Sequence, residues 1–63
     1  MRMNVKEVIE LLEKNGWHYV GSRGDHHKYK KEGAEFLIVV PGNDKKDIPI
    51  GTLKKILRQA GLN

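Results

Sequence analysis

The apolar residues near the start of the chain recur at the spacing of one helix face. They stand at positions i, i+3, i+4 and i+7 of a stripe, namely Val5, Val8, Ile9 and Leu12. Asn4 and Glu7 are three residues apart where this stripe begins, which is the spacing of a capping box. Asn15-Gly16 tolerates left-handed backbone angles and suits the end of a helix. The pattern predicts a first helix over about residues 5–15.

A second apolar stripe with the same spacing lies near the end of the chain. Its members are Leu53, Ile56, Leu57 and Ala60. Pro49 suits the first turn of a helix, where a backbone N–H would have no acceptor, and Gly61 suits the position just after the last turn. The pattern predicts a final helix that begins near Pro49 and ends before Gly61.

The residues between these helices have the composition of β-strands. Aromatic and β-branched residues predict strands over residues 17–20, 27–31 and 35–40, and the last of these is the strongest signal. A loop is predicted over residues 21–25 and a turn over residues 32–34, because glycine and polar residues collect there. The predicted order of elements is therefore α-β-β-β-α.

This order predicts an α+β fold, a three-stranded antiparallel sheet with both helices on one face. Two apolar stripes need burial, and one face of the sheet is the surface available to them. In the third strand, Phe36, Ile38 and Val40 are expected on that face, and Leu37 and Val39 on the other. Two exposed aliphatic side chains are ordinary on a monomer, but they also suit a docking face for a partner. The sequence leaves both interpretations open.

Length and composition narrow the class of protein. A chain of 63 residues fits one domain over residues 1–63, with a thin hydrophobic core. The absence of cysteine excludes a disulfide and a thiolate zinc site, and it fits a reducing compartment. Residues 1–7 lack the apolar core of a signal peptide, and no apolar run is long enough to span a bilayer. We therefore expect a cytoplasmic protein with no membrane segment.

Positive charge is concentrated in two parts of the chain, and the net charge is +4. The acid-free segment at the end carries Lys54, Lys55 and Arg58, and the predicted second strand carries Lys28 and Lys30. A basic helix together with a lysine-rich strand is typical of a protein that binds a polyanion such as nucleic acid. On charge alone, a solvated polar surface is an equally good interpretation.

Two of the three histidines, His26 and His27, are adjacent, between a glycine-rich loop and a run of lysines. Neighbouring residues of a strand point to opposite faces, so this pair does not suit a shared metal ion. Ser22 has no nucleophile-elbow context, and no phosphate-binding glycine loop is present. We therefore expect no metal site and no cofactor. Proton transfer remains, because the reference pKa of histidine, about 6.5, is close to neutral pH.

A ribonuclease can use a single histidine without a metal, because RNA supplies its own nucleophile, the 2′-hydroxyl. Such an enzyme needs a base for the hydroxyl proton, an acid for the leaving 5′-oxygen and cations for the phosphate charge. His26 is the candidate base, and the candidate cations are Arg23, Lys28 and Lys30. On the residues alone, a His26 that only packs or hydrogen-bonds within the hairpin is the commoner case.

Three segments resemble the HicA toxins, small mRNA interferases of bacterial and phage toxin–antitoxin modules. They are Gly24-Asp25-His26-His27-Lys28-Tyr29, Ile38-Val39-Val40-Pro41, and the segment IPIGTLKKILRQAGL over residues 48–62. The His-x-x-Tyr segment alone is weakly specific. The Gly-Thr-Leu helix that ends in Ala-Gly-Leu is specific when it follows Val-Pro at this distance. The resemblance extends along nearly the whole chain.

The resemblance implies a fold similar to a double-stranded-RNA-binding domain and an endoribonuclease with one catalytic histidine, which falls on His26. It implies mRNA as the substrate and a HicB-family antitoxin that binds the toxin and blocks its active face. We therefore expect a monomer when free and a hetero-complex with the antitoxin. With the family in view, Lys54, Lys55 and Arg58 are expected to contact the RNA backbone.

Two positions depart from the family's pattern. Asp25 stands where members often have serine or glycine, just before the catalytic histidine. Gly42-Asn43-Asp44 occupies the place where members often have a further histidine. His27 falls on a variable position, so the resemblance gives it no catalytic role.

Two other functions stay open at this point. The first is a non-catalytic RNA-binding module on the same fold, with His26 only structural. The second is a protein-interaction domain that uses Leu37 and Val39. Trp17 is expected in the core or at its rim, and Tyr29 is expected to pack its ring rather than stack on a base.

Overall fold

Two helices flank three antiparallel strands, in the order that the sequence predicts. The computed structural model describes residues 3–43 and 46–62. The elements are α1 (Val5–Lys14), β1 (His18–Arg23), β2 (His26–Lys30), β3 (Ile38–Pro41) and α2 (Ile50–Gln59). The strands form one sheet in the order β1-β2-β3, and both pairs are antiparallel. The predicted α+β fold is confirmed.

α1 begins at the predicted capping box. The Glu7 backbone N–H donates to Asn4 Oδ1 at 2.8 Å, and the Asn4 backbone N–H donates to Glu7 Oε1 at 3.0 Å. These bonds satisfy N–H groups that have no acceptor in the first turn of a helix. Val5, Val8 and Leu12 are buried, so the apolar stripe of α1 faces the core as predicted.

α2 buries Leu53, Ile56 and Leu57. The helix follows Pro49 and ends before Gly61, whose φ of 73° is a left-handed conformation that glycine adopts without strain. Both ends agree with the prediction. Within the described ranges, no helix is long and apolar enough to cross a membrane.

β1 and β2 form a tighter hairpin than the sequence predicts. The predicted loop over residues 21–25 is wrong, because β1 continues to Arg23, which pairs directly with His26. Only Gly24 and Asp25 lie between the strands, and Gly24 has a φ of 60°. A positive φ at the first of two turn residues is typical of a type II′ hairpin turn, whose twist matches that of the strands.

Gly21 explains why the glycine-rich segment stays in the sheet. The β1–β2 register shifts between Tyr19 and Gly21, so Val20 has no partner on β2. Gly21 has a φ of 146°, a conformation that side chains rarely adopt, and a Cβ there would meet no other atom within 4 Å. Glycine is therefore needed here because the bulge requires this backbone conformation. It is not needed to avoid a steric clash.

β3 is shorter than predicted. Its ladder with β2 begins at the Ile38–Tyr29 pair, so residues 35–37 belong to the connection and not to the strand. Phe36 was expected to be buried beside Ile38, but 46% of it is exposed, because it has left the pleat of the strand. Its ring instead lies against Trp17, with ring centroids 6.0 Å apart.

The core lies between the helices and one face of the sheet. On that face Tyr29, Ile38 and Val40 are buried, and both helices contribute their apolar stripes to the same cluster. Leu37 and Val39 are exposed on the other side, as their alternation predicts. The two helices therefore cover one face and leave the other open to solvent.

Trp17 and Tyr29 belong to the core and not to a stacking surface. Trp17 is 3% exposed and Tyr29 is 4% exposed. The Tyr29 ring meets Tyr19 edge to face, with centroids 5.8 Å apart. The expectation that Trp17 and Tyr29 pack in the core is confirmed.

Candidate active site

The middle strand carries a histidine and two lysines on the open face of the sheet. Successive residues of a strand alternate between faces, so His26, Lys28 and Lys30 share one face, while His27 and Tyr29 share the other. Tyr29 is buried under the helices, which makes the His26 face the open one. Alternate residues are about 6.8 Å apart along a strand, so His26 and Lys28 are near neighbours.

The flanking strands set the surroundings of His26. Arg23 of β1 and Pro41 of β3 are its partners across the sheet, and directly paired residues project to the same face. In the next row, Lys28 lies between Gly21 and Val39. Gly21 contributes no side chain beside Lys28, which is half-buried. The hairpin thus places Arg23 beside His26. The loop predicted over residues 21–25 would not have fixed the two residues next to each other.

His26 is exposed and lies where two surface grooves meet. The first, here called the α2 groove, has a volume of about 280 Å³ and runs between β3 and α2. It is lined by His26, Leu37, Val39, Pro41, Thr52, Lys55, Ile56 and Gln59. The second, here called the turn groove, has a volume of about 310 Å³. It is lined by Asp25, His26, Pro41, Gly42, Lys46, Asp47, Pro49 and Thr52.

Of the three cations of α2 that were predicted to bind RNA, only one lines a groove at His26. Lys55 lines the α2 groove together with His26. Lys54 and Arg58 are exposed and line neither groove at His26. At 100° per residue, Lys54 lies on the side of the helix away from Thr52 and Gln59, whereas Arg58 lies about 60° from Lys55 around the helix. Their expected contact with RNA stays a prediction, but it would be at a distance from His26.

His27 has a structural hydrogen bond. It is half-buried, and its Nε2 donates to the Gly42 carbonyl oxygen at 3.0 Å, because a carbonyl can only accept. The Gly42 backbone N–H in turn donates to the Asp25 carbonyl at 2.9 Å. These two bonds hold the end of β3 against the hairpin turn, next to His26.

The first turn of α2 opens on the turn groove. Pro49, the N-cap residue, makes no side-chain capping bond, and the turn has no acidic residue. Thr52 of this turn lines both grooves. The first N–H groups of a helix have no acceptor within it and carry partial positive charge, so this end adds to the positive potential near His26.

A metal centre would need several ligating side chains around one ion in the part of the chain that the structure describes. Among those residues, no group of three or more histidine, cysteine, aspartate or glutamate side chains is placed to hold a metal ion.

Sequence reasoning missed two polar residues of the site, Thr52 and Gln59. They stand three residues before and four residues after Lys55, which places all three along one side of α2, next to the apolar stripe. This spacing was a signal that could have been read. That this side of α2 faces His26 depends on how the helix packs against β3, which periodicity does not reveal.

Two comparisons with known proteins complete the description. Residues 5–62 match a family model described as the HicA toxin of bacterial toxin-antitoxin. No curated protein matches the chain. The family match covers nearly the whole sequence, including both grooves and every residue of the candidate site.

Proposed function

Because the chain belongs to the HicA toxin family of bacterial toxin–antitoxin modules, we propose that it is an endoribonuclease that cleaves mRNA with His26 as the general base. The family makes it a toxin with an antitoxin partner. We propose in addition the nuclease activity, the mRNA substrate and the residues that carry out the reaction. It needs no metal ion and no cofactor.

The proposed reaction is an internal transesterification. His26 takes the proton of a 2′-hydroxyl, and O2′ attacks the adjacent phosphorus. The bond from phosphorus to the 5′-oxygen of the next nucleotide breaks, and that oxygen takes up a proton. The products are a 2′,3′-cyclic phosphate and a free 5′-hydroxyl. Because His26 is exposed, water has access to the site and can protonate the leaving oxygen.

The surrounding cations supply the stabilisation of charge that this reaction needs. Negative charge grows on the phosphate oxygens as the bond forms, and fixed positive groups lower that barrier. Arg23 pairs across the hairpin with His26, Lys28 follows on the same face, and Lys55 lines the same groove. Lys30 continues this basic row along β2 and would hold the next phosphate of the strand.

One observation carries the proposal. The imidazole of His26 is exposed at the meeting point of two grooves, with lysine and arginine side chains on three neighbouring elements. A histidine that served only packing would be covered, as His27 is, and would bond to the backbone. Cleavage of single-stranded RNA in EDTA by the wild-type protein, lost in His26→Ala, is the direct test.

A non-catalytic RNA-binding module is the second candidate, and the position of Lys54 and Arg58 favours it. These exposed cations line neither of the grooves at His26, so they would bind a backbone without serving cleavage. RNA binding that His26→Ala leaves unchanged, with no cleavage products from the wild type, would select this function.

The partner is proposed to be a HicB-family antitoxin. Leu37 and Val39 are exposed apolar residues at the wall of the α2 groove, so a partner seated on them would also cover His26. We propose that the free toxin is a monomer that acts on mRNA in the cytoplasm and that the antitoxin joins it in an inactive hetero-complex.

A further inference from the structure

We propose that the α2 groove is a nucleobase subsite, in which Gln59 and Thr52 read the edge of the base next to the cleaved phosphate. The inference rests on the proposed ribonuclease function and extends it to the choice of cleavage site. Gln59 and Thr52 are specificity residues here and take no part in proton transfer.

The shape of the groove suits one base. Its volume of about 280 Å³ is at the lower end of sites for small molecules, which are about 300–1,000 Å³. Its walls are the apolar side chains of Leu37, Val39, Pro41 and Ile56. A base has apolar faces and polar edges. The apolar side chains of the groove would contact the faces of the base, and the polar side chains would bind its edge.

The polar residues of the groove are available to a ligand. Within the described ranges, the side chains of Thr52 and Gln59 make no hydrogen bond to another residue. An amide group presents a donor and an acceptor side by side, which matches N7 and the N6 amino group of adenine. A hydroxyl serves as either donor or acceptor. The amide therefore suits the N6/N7 edge of adenine, whereas the same edge of guanine presents two acceptors and cannot pair with the amide oxygen.

The position of the groove links it to the chemistry. His26 lines the groove at one end and Gln59 lines it as well, so a base held there belongs to a nucleotide that adjoins the phosphate at His26. Lys55, between Thr52 and Gln59 on α2, is placed for the phosphate of that nucleotide. The lysine and the net charge of +4 favour a nucleic acid over an apolar peptide as the occupant.

Mapping of cleavage sites tests the inference. The wild type is incubated with an RNA pool randomised at the positions that flank one cut, and the new ends are sequenced. We expect adenine to be preferred about tenfold at one flanking position, since a bidentate contact discriminates by about 1–3 kcal/mol. Gln59→Leu keeps the shape of the groove and should abolish this preference. Gln59→Glu should weaken it, because a carboxylate only accepts and has no donor for N7 of adenine.

Glu13→Ala is the matched control, because Glu13 is exposed on α1 and lines neither groove. It should leave the base profile unchanged. Thermal melting of all variants confirms that they are folded. If the wild type cuts RNA in a His26-dependent manner while both Gln59 variants keep its base profile, the subsite is overturned and the nuclease function stands.

The subsite can also be tested if the wild-type protein turns out not to be a nuclease. If the wild type does not cut RNA, the nuclease proposal fails, and the subsite is tested by binding of short oligoribonucleotides that differ at one base. A preference for adenine that Gln59→Leu removes would support the subsite, and equal binding of all four would overturn it. Weaker antitoxin binding by Gln59→Leu, with an unchanged base preference, would also overturn it and assign the groove to the protein partner.

Discussion

His26 of β2 and Lys55 of α2 line the same groove, although the third strand and its following loop separate them along the chain. The contact of α2 with β3 brings them together. A proton acceptor and a cation therefore face one cavity from two rigid elements, which is the arrangement that positions a phosphate without a flexible loop.

His26→Ala should abolish cleavage and leave the fold unchanged. Loss of a general base lowers the rate by about 10²–10⁴-fold, and an exposed side chain contributes little to stability. The measurement is the single-turnover cleavage rate of single-stranded RNA in EDTA. His18→Ala is the control, since His18 is exposed on β1 and lines neither groove. A variant lacking His26 with near wild-type activity would remove the assigned base.

Lys55→Ala and Lys54→Ala should differ in the kinetic parameter that they change. Lys55 lines the groove at His26, so its loss should lower kcat by about tenfold, as expected for a group that stabilises the transition state. Lys54 is exposed on another side of the same helix, so its loss should raise KM and leave kcat unchanged. Steady-state cleavage of a fluorescent RNA separates the two. Equal effects on kcat would contradict the division of α2 cations.

The salt dependence of RNA affinity should fall when the remote cations are removed. Each phosphate contact with a single strand contributes about −0.7 to the slope of log affinity against log salt concentration. Lys54→Ala and Arg58→Ala, measured singly in the His26→Ala background to prevent cleavage, should each reduce the slope by about that amount. Glu10→Ala on α1 serves as the reference. Unchanged slopes would mean that these side chains are only a solvated face.

His27→Ala should lower stability and retain the catalytic group. The substitution removes the donor to the Gly42 carbonyl at the end of β3, which costs about 1 kcal/mol. In a domain of this size that lowers Tm by about 4–8 °C. Thermal melting followed by circular dichroism measures the shift, and cleavage below the melting range should continue. Loss of cleavage in a fully folded His27→Ala protein would show that the wrong histidine had been assigned.

Gly21→Ala and Gly51→Ala should change stability in opposite directions. A Cβ meets no atom within 4 Å at either position, so space plays no part. Gly21 has a φ of 146°, and alanine there should destabilise by about 1 kcal/mol or more. Gly51 lies in α2 without a positive φ, and alanine there should stabilise by about 0.5 kcal/mol. Urea denaturation of both variants gives the comparison, and a stable Gly21→Ala protein would argue against the bulge.

The local sequence predicted the buried stripes of both helices and where the helices begin. Three features are each encoded within a few neighbouring residues. They are the capping box at Asn4 and Glu7, the two apolar stripes, and the alternation of buried and exposed side chains from Ile38 to Val40. Such patterns predict structure because helices and strands repeat with different periods. The position of a residue within the repeat then gives the face on which its side chain lies. His26 was also proposed from the sequence, because it stands beside the lysines of the same strand, and its catalytic role stays a prediction.

Packing between distant segments decided the rest. The register of β2 with both neighbours extended β1 to Arg23, shortened β3 and left Phe36 exposed against Trp17. The seating of α2 on β3 brought Lys55 to His26 and left Lys54 facing elsewhere. Strand register and helix orientation are set by long-range side-chain packing and not by local periodicity. The chain itself therefore determined which elements form and which residue is the candidate for proton transfer, and only the tertiary structure decided which residues surround it.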